Sequence, residues 1–318
     1  MTPALMSVPD QSVHDPRAPL SGWIILDKPL GLGSTQAVGA IKRLLREAGE
    51  ARTKVGHGGT LDPLATGVLP IALGEATKLA GRMLDATKAY DFTIGFGQQT
   101  DTLDREGKVI AESEVRPSPA QIEAILPRFT GPIEQAPPAY SAVKIDGKAA
   151  YARARAGEAP EMKVRQVTVY DLQILPDGNA DKGGLDQITL SVTVSKGTYI
   201  RSLARDIARA LGTVGHVTVL RRTKAGPFTL DQAISLDILE QAAKARQLTR
   251  TVMPLVAALD DIPALPVTPD QAKLLRQGQR LAGFPETPGL HLALLDQRPV
   301  ALVEASADGL KVVRGFNV

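Results

Sequence analysis

The chain has 318 residues, with 37 Lys and Arg against 34 Asp and Glu, 43% hydrophobic and 22% charged residues; this is the make-up of a globular protein long enough for one large domain and a smaller one. It has no cysteine, which excludes disulfides, thiolate catalysis and Cys-ligated zinc, and its histidines (His14, His57, His216, His291) are scattered without metal-ligand spacing. Chemistry therefore falls to carboxylates, hydroxyls, Lys and Arg, no metal site is expected, and no run of 18 apolar residues predicts a membrane span.

Residues 1–20 lack the apolar core of a signal peptide and read as a flexible tail on a cytoplasmic protein. Trp23, Ile24, Ile25 and Leu26 predict a strand that ends at Asp27-Lys28-Pro29 and a turn holding Gly31 and Gly33. A helix follows, with Ser34 as expected N-cap, Val38, Ile41 and Leu45 at helical spacing, and Lys42, Arg43 and Arg46 on the other face. Residues 56–70 then hold four glycines, two prolines and one carboxylate, Asp62. Gly costs backbone entropy and Pro removes a donor, so this stretch reads as a shaped loop. Pro63 keeps Asp62 extended. Such an aspartate suits a nucleophile or base, and equally a helix cap.

An apolar segment at 68–73 and a helix over 76–84 come next. Tyr90, Phe92, Ile94 and Phe96 alternate, which puts them on one face of a strand. A polar, turn-rich stretch over 98–107 contains Asp104, and Ser118-Pro119 marks a helix start. Residues 135–148 mix turns with Tyr140, Lys144 and Lys148 ahead of a short helix over 149–156. Strands are predicted at 164–172 and 188–194, the second with clean period-two alternation. It delivers Ser195-Lys196-Gly197-Thr198-Tyr199-Ile200-Arg201 to a helix on which Leu203, Ile207 and Leu211 oppose Arg201, Arg205 and Arg209. One face is expected to pack inward and the other to be cationic. Residues 217–222 predict another strand, 229–247 a helix, 260–267 a linker, and 268–318 a short helix followed by a small β domain.

Basic residues are unevenly placed: 195–224 hold seven Lys or Arg against one acid, and 141–167 hold six against three. Such patches on a balanced chain point to a polyanion, with a solvated surface as the equal alternative.

The ordered motifs resemble one family, the TruB-type tRNA pseudouridine-55 synthases. The resemblance is carried by Asp27-Lys28-Pro29 with Gly31 and Ser34, Gly56-His57-Gly58-Gly59-Thr60-Leu61-Asp62-Pro63-Leu64-Ala65-Thr66-Gly67, and Lys88-Ala89-Tyr90. It continues through Gly97-Gln98-Gln99-Thr100-Asp101-Thr102-Leu103-Asp104, the Pro137-Pro138-Ala139-Tyr140-Ser141-Ala142-Val143-Lys144 segment, residues 195–201, and Leu220-Arg221-Arg222. Gly33 and Gly58 depart from the threonines usual there.

The resemblance implies an α+β fold with a large mixed, mainly antiparallel sheet flanked by helices. It divides the chain into a catalytic domain over 21–259, with an RNA-contacting insertion around 130–160, and a PUA-like RNA-binding domain over 260–318. It further implies isomerisation of uridine 55 in the tRNA T-loop, without cofactor or metal, by a monomer that needs no protein partner. Asp62 would be the nucleophile, Arg201 its partner, and Tyr90 the ring stacked on the flipped base. His57 would fill the vacated stack, Asp104 would couple to Arg201, and Tyr199 and Leu220 would contact the substrate. Lys28, Lys144, Lys148, Arg155 and Arg205 are expected at RNA. Whether Asp62 attacks the ribose C1′, attacks uracil C6 or removes a ribose proton stays open, and so do a non-catalytic RNA chaperone and a glycoside hydrolase using Asp62 with Asp104.

Overall fold

A computed structural model describes residues 17–141, 143–145, 147–158, 162–176, 184–282 and 287–317. The expected tail over 1–20 falls outside these up to residue 16. By Leu20 the chain is already packed: this side chain is buried, and its amide donates to Thr53 Oγ1 at 3.2 Å.

The central sheet is built from β1 (Gly22–Lys28), β2 (Ala65–Leu73), β3 (Lys88–Phe96), β4 (Gly131–Gln135), β5 (Arg165–Ile174), β6 (Gln187–Val194), β7 (Gly215–Ala225) and β8 (Ile234–Ser235), in the order β8-β1-β2-β7-β3-β6-β5-β4. Only β1 with β8 and β2 with β7 run parallel along this path. The sheet is therefore mixed and mainly antiparallel, as expected. Short strands at Val55–His57 and Phe228–Thr229 pair with β2 and β7 from the side.

Helices cover the sheet because their apolar spacing gives each one buried stripe. Helix α1 (Ser34–Glu47) seats Ala37, Ile41, Leu44 and Leu45 against Ile24, Leu26, Leu69 and Ile71, with Leu239 of a later helix (Leu236–Lys244) in the same cluster. Helix α2 (Ile200–Ala210) seats Leu203, Ala204, Ile207 and Ala208 against Phe92, Ile94, Leu190 and Val192. Burying each Leu or Ile contributes roughly 1.5–3 kcal/mol. Tyr90 and Leu220 border both clusters, so the seam between the two halves runs beside them.

Several local expectations change in three dimensions. Ser34 is the first helical residue and Gly33 the N-cap; the Ser34 hydroxyl instead donates to the Leu61 carbonyl at 2.9 Å and accepts from the Leu61 amide at 2.8 Å. Asp62 caps no helix: its carbonyl accepts the Ala65 amide at 3.0 Å, closing a turn into β2. Residues 229–235 are short strands and a 3-10 turn, and the helix begins only at Leu236.

The expected linker is also no linker. Ala264–Pro266 pairs in parallel with Gly289–Leu295, opening a four-stranded sheet completed by Arg298–Ser306 and Gly309–Gly315. Leu292, Leu302 and Phe316 of this small β unit share a cluster with Trp23, Ile25 and Phe228, so its core is continuous with that of the large sheet.

Candidate active site

The register of the four middle strands gathers the motifs. Across β2, β7 and β3, Leu220 lies between Ala65 and Phe92, and Arg222 lies between Gly67 and Tyr90. On β6, Val192 pairs with Tyr90 and Val194 with Lys88, so the 195–201 turn leaves the sheet where Tyr90 stands. A cleft of about 300 Å³ opens there, lined by Asp62, Lys88, Tyr90, Tyr199, Arg201 and Leu220 among others.

Arg201 organises the cleft. It is 6% exposed, and its guanidinium reaches Asp62 Oδ2 at 2.9 Å and Asp104 Oδ2 at 3.3 Å. It also donates to the carbonyls of Thr102 at 2.8 Å and Tyr140 at 3.1 Å. The cationic face predicted for α2 thus divides. Arg201 is buried, Arg205 turns to Asp206 at 2.8 Å and to the Ala136 carbonyl, and Arg209 is exposed.

The two acids on Arg201 are held differently. Asp104 is buried, and its Oδ1 accepts from Thr102 Oγ1 at 2.6 Å and from the Glu106 amide at 3.0 Å. Its loop is forced tight: Leu103 takes a left-handed φ of 63°, uncommon for a bulky residue. The Asp62 side chain is 39% exposed, and Arg201 is its carboxylate's only ion-pair partner among the described residues.

The Asp62 loop is pinned from behind. Arg222, 1% exposed, donates to the carbonyls of Val68, Thr60 and Gly59. Lys28 was expected at RNA, yet it is fully buried and donates to the carbonyls of Pro29, Leu32 and Pro63. Burial pushes its ammonium down to about 8, against the pull of the Asp62 charge. Lys88 binds the carbonyls of Met83, Leu84 and Ala86, and burial, helped by the like charge of Arg222, brings it to about 8 as well. Gly58 is required by packing: a Cβ there would stand 2.6 Å from the Cβ of Met83.

On the opposite wall Tyr199 is the residue before α2, locked by Gln135, whose side chain accepts from its amide at 2.7 Å and donates to its carbonyl at 3.1 Å. The Arg165 guanidinium lies 4.9 Å from the Tyr199 ring centre and donates to the Gly197 carbonyl.

The cleft therefore brings together Asp62, Tyr90, Tyr199, Arg201 and Leu220, with Asp104 behind Arg201. His57 stands on the side strand, partly buried and outside the lining, and burial followed by the Arg222 charge holds its imidazole below its usual range. Lys144, Lys148 and Arg155 are exposed on the segment after Tyr140, away from the lining. Lys88, Arg165, Gln135 and Arg222 were not assigned roles from sequence. For Lys88 and Arg222 the signal was their place inside the recognised motifs, and for Arg165 its place in the basic 141–167 stretch; Gln135 carried none.

A mixed sheet split by a cleft thus presents one partly solvent-facing aspartate clamped by a buried arginine. Residues 42–200 match the TruB family pseudouridylate synthase N-terminal domain, and 201–260 match the tRNA pseudouridylate synthase B C-terminal domain. The chain belongs to the TruB family. It is 58% identical to the tRNA pseudouridine synthase B of Novosphingobium aromaticivorans over 94% of this chain and 98% of that protein. It is 56% identical to that of Zymomonas mobilis over 95% and 98%. Among solved structures it resembles an H/ACA RNP bound to a substrate RNA containing 2′-deoxyuridine, with a TM-score of 0.69, 25% identity, and coverage of 93% of this chain and 85% of that one.

Proposed function

We propose that this chain is a tRNA pseudouridine synthase that isomerises uridine 55 of the T-loop. The observation that carries the reading is the Asp62–Arg201 pair, 2.9 Å apart inside a cleft of about 300 Å³. Uracil has to leave N1, turn within the site and rejoin the ribose through C5, with no atom gained or lost. Asp62 supplies the attacking or proton-abstracting oxygen. Arg201 favours its ionised form and, tied to Asp104 and two carbonyls, aims it. Backbone groups of the Asp104 loop take part in these contacts, the Asp104 carbonyl with Thr100, the Glu106 amide with the Asp104 carboxylate and the Thr102 carbonyl with Arg201, which gives that aim its rigidity.

The target uridine is stacked in a folded loop, so it must be extruded at a cost of a few kcal/mol. Tyr90, Tyr199 and Leu220 offer the flipped base flat and apolar walls to offset that cost. His57 fills the vacated stack, and Lys144, Lys148 and Arg155 meet phosphates outside the cleft. Arg165, unpaired with any carboxylate among the described residues, is better placed for a phosphate near the flipped nucleotide than Arg205 or Lys28. The small β unit acts as a PUA-like RNA-binding module, and the protein works in the cytoplasm as a monomer without protein partners.

Relatives bearing the name tRNA pseudouridine synthase B over nearly their whole length support this reading. Incubation with an unmodified tRNA transcript, followed by pseudouridine mapping at single-nucleotide resolution, tests it. The expected product is one pseudouridine at position 55. Product elsewhere retains the reaction and overturns the substrate; no product overturns both.

A further inference from the structure

A second concave surface lies away from the cleft. It is a groove of about 940 Å³ whose walls are Lys42 and Arg46 of α1, Glu50 to Lys54 of the connecting loop, and a floor of buried Leu45 and Val55. Four cations, Lys42, Arg46, Arg52 and Lys54, line it with one acid, Glu50. All four are exposed.

Several surface cations elsewhere on this nearly neutral chain are matched with acids. Arg43 meets Glu47 and Glu240, Arg116 meets Asp186, Lys196 meets Asp85, and Arg221 meets Asp27. The four groove cations have no carboxylate within 4 Å among the described residues. Four like charges left together in a concavity repel one another, and a bound polyanion relieves that repulsion by releasing its condensed counterions.

The groove's backbone is firm. Thr53 Oγ1 accepts the Leu20 amide, and the Lys54 carbonyl accepts the Gly74 amide at 2.8 Å. Val55 pairs with Leu73, eight residues along β2 from Ala65. That puts the groove roughly 26 Å from the end of β2 that carries the Asp62 turn, at about 3.3 Å per residue. A phosphate held there belongs to a part of the RNA other than the flipped nucleotide and its neighbours.

We infer that this groove is a second RNA-backbone site, which engages a region of the folded tRNA outside the T-arm and makes the intact tRNA a tighter ligand than its isolated T-arm stem–loop. The inference rests on the proposed tRNA substrate.

Filter-retention binding at 0.1 M salt tests it, comparing the wild-type protein with Lys42→Gln/Arg46→Gln/Arg52→Gln on a full-length tRNA transcript and on the T-arm stem–loop of the same sequence. The substituted side chains are exposed, so the fold persists. The variant's Kd for full-length tRNA is expected to rise roughly tenfold or more, and the slope of log Kd against log salt to fall by about two to three. Its Kd for the stem–loop stays within about twofold, and kcat on saturating RNA is unchanged. An equal rise on both RNAs, or none on either, overturns the inference. Failure of the wild-type protein to form pseudouridine would instead overturn the proposed function, while this binding comparison would still read the groove.

Discussion

Asp62 and Asp104 share one guanidinium and differ in everything else that decides what a carboxylate can do. Asp104 is buried and fully engaged, by Arg201, by the Thr102 hydroxyl and by the Glu106 amide. Among the described residues Asp62 has Arg201 alone, and it faces the cleft. A satisfied acid fixes the direction of the arginine, and the arginine holds the acid that faces the cleft. In the proposed function the pair of acids is one aiming device with one working end.

Asp62→Asn breaks the comparison hardest: kcat/KM is expected to fall roughly 10⁴-fold or more, with tRNA affinity retained, because the amide keeps the shape and loses the ionised oxygen. A loss of binding equal to the loss of rate would mean that Asp62 holds RNA and does not react with it.

Arg201→Lys comes next. An ammonium cannot span two carboxylates and two carbonyls as the planar guanidinium does, and a fall in kcat on the order of 10³ is expected. If Lys restores near-normal kcat, charge alone suffices and the aiming geometry is superfluous.

Much of this was legible in the chain, in the places where chemistry is local. The density of Gly and Pro around Asp62 marks a shaped turn, though a shorter one than the expected 56–70, since residues 56–57 and 65–70 lie in strands; alternation places Tyr90 on the apolar face of a strand; helical spacing finds α2. What stayed hidden depended on partners far along the chain. Ser34 has the look of a cap, yet Leu61 claims its hydroxyl from 27 residues away. Lys28, at a strand end before a proline, looks exposed, and only the return of the 59–63 loop buries it. Residues 260–267 read as a linker because their prolines obscure the pairing of Ala264–Pro266 with a strand more than 20 residues later.

Lys28 sharpens the contrast between the pinned back of the Asp62 loop and the front that faces the cleft. In the folded protein its ammonium releases a proton near pH 8, whereas the unfolded chain holds it to about 10.5. Between these values the unfolded state binds more protons, so this lysine's cost to folding is present below pH 8 and is relieved as the pH rises toward 10.5. The melting temperature of the wild-type protein minus that of Lys28→Met should therefore grow from pH 8 to pH 10. A difference that shrinks with pH would contradict the buried, partly neutralised lysine.

Gly58→Ala has the smallest expected effect. The added methyl meets Met83 at 2.6 Å and overpacks the loop against its support, costing about 1–3 kcal/mol. A thermal melt indistinguishable from wild type would show that the loop is not seated on Met83.

The division of labour between the two acids is tested most directly by single-turnover pseudouridine formation in Asp62→Asn and Asp104→Asn, each prebound in excess to the same tRNA transcript. The predicted result is complete conversion by Asp104→Asn, slowed on the order of 10², over times in which Asp62→Asn yields no product. Equal rates from the two variants, or the faster rate from Asp62→Asn, would contradict it.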